Sequence, residues 1–171
     1  MRKRFFAVAV TAVALSILSS TAAFAQGWGQ VGSDWFYYEE DGSVAKNTWI
    51  TSEGGTYWVN NDGKMAANQW VWAGDAWYYV GGDGLYLTNQ LLKLDNTLYW
   101  LGEDGRMAAS AWVTTEDGKT YYFQEDGSAV KNGWKMIDGY YYYFLKSGSM
   151  AVDALVPGGY RVGADGRWIE N

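Results

Sequence analysis

A glycine that follows an acidic or polar residue returns every 21 or 22 positions along this chain, at Gly42, Gly63, Gly84, Gly105, Gly127 and Gly148. A large apolar residue lies seven positions after each of them: Trp49, Trp70, Leu91, Trp112, Trp134 and Leu155. One period before Trp49 stands Trp28, in the pair Gly27-Trp28. An aromatic-rich cluster precedes every one of these glycines, as in Trp35-Phe36-Tyr37-Tyr38 or Tyr141-Tyr142-Tyr143-Phe144, and Tyr160-Arg161-Val162 is a degenerate last copy. Self-similarity at such a period constrains the fold more than any local propensity, because each copy has to be one supersecondary unit that buries its apolar face against its neighbours.

The unit reads as a β-hairpin. Short turn signals stand between each leading Trp or Leu and the next aromatic cluster: Gly54-Gly55, Gly74-Asp75, Asp95-Asn96, Asp117-Gly118 and Asp138-Gly139. Such pairs favour the tight turns that join antiparallel strands, and the flanking aromatics favour strands. The Asp-Gly inside each connecting loop makes a second turn, and no segment has helical periodicity. A lone hairpin is at best marginal in water. The expected fold is therefore all-β, a solenoid of about seven stacked β-hairpins without disulfides, with weaker end repeats and Tyr160 to Trp168 as a cap.

Composition narrows the chemistry. The chain has no His and no Cys, which removes imidazole and thiol catalysis and the corresponding metal sites. Arg2, Lys3 and Arg4, an apolar run from Phe5 to Leu18, and Ala23-Phe24-Ala25 form the pattern of a signal peptide over residues 1–25. The repeat domain is then 26–171, secreted and outside the membrane. Without the three leader cations, 10 basic residues face 19 acidic ones, a net charge of −9. An acidic chain without a basic cluster does not suit nucleic acid or an anionic membrane. The acidic turns recur in nearly every copy, as structural elements do, so neither a calcium loop nor a catalytic carboxylate pair is expected. No metal, no cofactor and no enzymatic activity are implied.

The pattern of Gly-Trp, short turn, aromatic triplet and Asp-Gly-x-Met resembles the choline-binding repeats of Gram-positive cell-wall proteins. Related repeats occur in glucan-binding regions of secreted glucosyltransferases and in large clostridial toxins. The resemblance runs over residues 27–168. It implies cages between successive hairpins, in which aromatic faces hold a quaternary ammonium by cation–π attraction. Two complete sets are expected: Trp28 and Trp35 with Tyr57 and Met65, and Trp70 and Trp77 with Tyr99 and Met107. A third, altered set is Trp134, Tyr141 and Tyr160. Thr56, Thr120, and Leu91 with Leu98 interrupt the pattern at the other junctions, which are not expected to bind choline well.

The resemblance thus implies a non-catalytic protein that attaches to the bacterial surface through choline-decorated teichoic acid. Two other readings stay open at this point. One is a carbohydrate-binding module for a glucan or other cell-wall polysaccharide. The other is a surface adhesin or assembly protein, with self-association into a homodimer. Most aromatics are expected to be core, since alternate strand positions face opposite sides. Trp72 lies outside the repeat pattern and is expected to pack at a surface or interface.

Overall fold

The computed structural model describes residues 25–170. Apart from Ala25, the expected leader lies outside the described residues. All regular structure among these is β. Six two-stranded antiparallel sheets follow one another: β1 (Gly27–Val31) with β2 (Asp34–Tyr38), β3 (Thr48–Ser52) with β4 (Gly55–Val59), β5 (Gln69–Ala73) with β6 (Ala76–Val80), β7 (Gln90–Leu94) with β8 (Thr97–Leu101), β9 (Ala111–Thr114) with β10 (Thr120–Phe123), and β11 (Gly133–Ile137) with β12 (Tyr140–Phe144). A three-stranded sheet of β13 (Ala154–Val156), β14 (Tyr160–Val162) and β15 (Trp168–Ile169) ends the array. The hairpin array read from the repeat is the fold. Its last unit gains a short third strand.

The described residues fall into two compact units. One runs through Ala73 and includes Val80–Tyr86; the other comprises Gly74–Tyr79 and the chain from Leu87 onward. The division falls within the third hairpin.

Turn chemistry departs from the simple expectation in three places. The β3–β4 turn is Glu53-Gly54, with φ of 51° and 79°, one residue earlier than Gly54-Gly55. Both φ values are positive there, as they are at Asp138-Gly139, which is what a type I′ turn requires. At Asp95-Asn96 only Asp95 has positive φ. Asp117-Gly118 is not a two-residue turn, because β9 ends at Thr114 and β10 begins at Thr120. Asp117 instead accepts from the Lys119 ammonium and the Thr115 hydroxyl, which together hold its carboxyl at about 2. Those contacts stabilise a wider loop.

Pairing fixes which residues share a face. Trp28 lies opposite Tyr37, Trp49 opposite Trp58, Leu91 opposite Trp100, Trp112 opposite Tyr122, and Trp134 opposite Tyr143. In five of the repeats the last apolar residue of the aromatic cluster points the other way and is buried: Val59, Val80, Leu101, Phe123 and Phe144 have no exposed surface. In the first unit Val59 packs with Ala45 and Ile50; in the second, Phe123 packs with Tyr121 and Ala129, and Phe144 with Val130, Ile137 and Tyr142.

The loops do the stacking. Turn carboxylates and amides accept backbone N–H groups, as at Asp41 from Ser43, Asn60 from Asp62, Asp104 from Arg106 and Asp126 from Ser128. The chain leaving each loop then clips two hairpins together. Within the first unit the Met65 N–H donates to the Trp35 carbonyl at 2.8 Å, while the next N–H, of Ala66, donates to Trp58 of its own hairpin at 2.8 Å. The same arrangement recurs from Tyr86 to Thr56 in that unit, and from Met107 to Trp77, Ala129 to Leu98, and Met150 to Thr120 in the second. Backbone groups that a hairpin leaves unpaired are thus used by its neighbour.

Gly84 combines two demands. Its φ is +80°, and a Cβ there would stand 2.7 Å from Met65 Cε and 3.3 Å from Tyr57 Cδ1. Gly84→Ala is expected to lower the unfolding free energy by about 1–3 kcal/mol, from left-handed strain with the displacement of Met65. Chemical denaturation checks this, and an unchanged midpoint would count against it.

Candidate aromatic cages

The best-formed cavity is built by the third, altered set. Trp134 comes from β11, Tyr141 from β12, Tyr160 from β14, and the fourth wall is Trp168 from β15. The four rings bound an open cavity of about 330 Å³. Trp134 meets Tyr160 edge-on at 5.9 Å, Tyr160 meets Trp168 at 6.2 Å, and Trp168 meets Tyr141 at 6.4 Å. Rings at such angles present faces to the space between them, and all four lining residues are aromatic. Arg167, next to Trp168, is held away from this box. Its guanidinium sits 3.7 Å over the Tyr140 ring, and its Nε donates to the Tyr142 hydroxyl at 3.4 Å.

Trp168 is the site residue that sequence reading missed. Tyr57 and Met65 are eight positions apart, as are Tyr99 and Met107, and as are Tyr160 and Trp168. Trp168 therefore stands where the other sets place Met. That spacing was the available signal; the shortened connection before Tyr160 obscured it.

In the first unit, Trp28 and Tyr57 meet edge-on with centroids 5.1 Å apart, and Trp28 also packs on Tyr37 at 5.2 Å. Trp35 is two residues from Tyr37 on β2, so it shares that face, and its carbonyl receives the Met65 N–H. Met65 and Tyr57 converge on Gly84. The structure thus draws Trp28, Trp35, Tyr57 and Met65 to one junction. Burial, then the Glu53 and Asp83 carboxylates, push the Tyr57 phenol above its ordinary value, so this wall is neutral at physiological pH.

The division between units separates the second set. Trp70 belongs to the first unit, and Trp77, Tyr99 and Met107 to the second. Within the second unit the Met107 N–H reaches the Trp77 carbonyl at 2.8 Å, and the Trp77 side chain is exposed.

The interrupted junctions are filled by other side chains. Trp112 contacts Tyr122 at 5.0 Å, Tyr142 at 4.9 Å and Phe144 at 5.9 Å. Trp49 contacts Trp58 at 5.0 Å and Tyr86 at 5.7 Å. Leu91 and Leu98 pack on Tyr121, Phe123 and Ala129 as ordinary core. Thr56 and Thr120 stand where the first aromatic would be, and each hydroxyl meets a cross-strand threonine, Thr51 and Thr114.

Two family models match the chain. A choline-binding repeat matches residues 43–86 and 128–168, and a cell wall binding repeat matches residues 26–44 and 110–129. None of the curated proteins matches. Among solved structures, CbpJ from Streptococcus pneumoniae TIGR4 is similar at 29% identity and a TM-score of 0.69, covering 84% of this chain and 48% of that one. Choline binding protein F from Streptococcus pneumoniae is similar at 29% identity and a TM-score of 0.69, covering 85% of this chain and 48% of that one. The Cpl-1 endolysin, solved with a peptidoglycan analogue, is similar at 29% identity and a TM-score of 0.51, covering 73% and 37%. The chain spans about half the length of the first two.

Proposed function

Since the chain belongs to the choline-binding, cell-wall-binding repeat family, we propose that it is a secreted, non-catalytic protein that attaches to the bacterial surface by holding choline groups of teichoic acid in aromatic cages. The observation that carries this reading is the four-ring cavity of Trp134, Tyr141, Tyr160 and Trp168. A quaternary ammonium has no N–H to donate and is weakly hydrated, so a box of four aromatic faces suits it. The junction of Trp28, Trp35, Tyr57 and Met65 is the second site on this reading.

The experiment is a titration of the mature protein with choline, followed by tryptophan fluorescence, with ethanolamine as the control. Choline is expected to give a saturable change in the millimolar range. Ethanolamine, whose ammonium keeps three N–H bonds and its hydration, is expected to give a far weaker one. No response to choline at tens of millimolar, or an equal response to ethanolamine, would overturn the reading.

A further inference from the structure

We propose that the first unit carries a second site of different chemistry, a groove beside β5 that takes one uncharged pyranose ring of a saccharide. The groove has a volume of about 200 Å³, and its lining includes Trp58, Trp70 and Trp72 together with Asn47, Asn60, Asn61 and Gln69. None of these side chains ionises. The Asn60 Oδ1 already accepts the Asp62 N–H at 2.9 Å and the Lys64 N–H at 3.0 Å, which leaves its Nδ2 as the group it can offer.

The repeats act as an internal control for what the scaffold itself needs. Asn47 has φ of 48°, and its counterparts Asn68, Asn89, Ser110, Asn132 and Asp153 share that left-handed conformation, so a small polar residue there follows from the backbone. The same does not hold for Trp72 or Asn61. Two positions after the leading residue, the other hairpins carry Gln30, Thr51, Lys93, Thr114, Met136 and Pro157; only the third carries an indole. Two positions before the turn glycine, Glu40, Glu103, Glu125 and Lys146 are charged and Gly82 and Ala164 are small, whereas Asn61 alone carries an amide. Both departures fall on this one groove. Trp72 is also 54% exposed.

The chemistry is that of a sugar. A pyranose has a C–H face that lies on an aromatic ring and a rim of hydroxyls that both donate and accept. Amides match that rim because each carries a donor and an acceptor end, and indole combines an apolar face with a polar N–H. An anion would find no cation among these lining residues. The volume lies below the ~300–1,000 Å³ of pockets for larger ligands, so one ring is held rather than a chain segment.

The test uses the mature chain labelled with ¹⁵N, with maltotriose and chitotriose as soluble uncharged probes. The expected result is a saturable shift of the Trp72 indole N–H and the Gln69 side-chain amide that saturating choline leaves in place. Trp72→Ala and Asn61→Ala, both at exposed positions, are expected to weaken that shift at least tenfold while the choline response of the Trp168 indole persists. No shift with either sugar at tens of millimolar, a shift that survives both substitutions, or its suppression by choline would overturn the proposal. The choline reading is judged separately, at Trp168, so either can fail without the other.

Discussion

Phe123→Ala is expected to lower the unfolding free energy by about 3–5 kcal/mol. The Phe123 ring is fully buried between Tyr121 and Ala129, with Leu91, Leu98, Trp100, Ala108 and Val113 around it. Removal leaves a cavity that two stacked repeats share, and strands that pair with only one partner have little freedom to collapse into it. Stability in a repeat array is close to a sum of units and nearest-neighbour interfaces, so the loss should be local. Hydrogen exchange should therefore accelerate most in β8, β9 and β10 and least in β1 and β2. Uniform acceleration through all the hairpins, or an unchanged denaturation midpoint, would contradict this account of the core.

Trp168→Ala is expected to weaken choline binding at the final cage about tenfold, since about 1.4 kcal/mol is a factor of ten and one desolvated cation–π face is worth up to about 2 kcal/mol. Stability should suffer far less than in Phe123→Ala, because Trp168 sits in a two-residue strand and is 38% exposed. Trp168→Met is the discriminating variant. Met65 and Met107 hold the corresponding place eight residues after Tyr57 and Tyr99, so Met should restore most of the affinity that Ala loses. The readout is the choline-dependent NMR shift of the Tyr160 and Trp134 rings, which isolates this site from the other tryptophans. Unchanged binding in Trp168→Ala would place the ligand outside the box.

The period, the hairpin and the buried ladder were legible in the order of residues because their causes are local. Glycine at +80° follows from turn geometry, as at Gly84, and side-chain alternation along five residues settles that Val59 turns inward while its neighbour on β4 pairs with Trp49. Turn boundaries were less legible: Glu53 accepts a left-handed conformation that glycine was expected to take, and Asp117 finds Lys119 and Thr115 as partners and opens a wider loop.

The cages depend on residues far apart in the chain. Trp28 meets Tyr57 across 29 positions but Trp134 meets Tyr160 across 26, so the last cage falls out of phase with the first, and Trp168, eight positions beyond Tyr160, was not read as its fourth wall. That closure follows from β15 adding to β14 and from Trp168 facing Tyr141 and Tyr160. The groove at Trp72 has the same origin, since its amides come from the start of β3, the end of β4 and the start of β5. Sequence determined the repeating unit, because a hairpin is made by neighbours along the chain. Tertiary structure decided which faces stay open for a ligand, because loop hydrogen bonds between hairpins set which side chains meet and which junctions are filled.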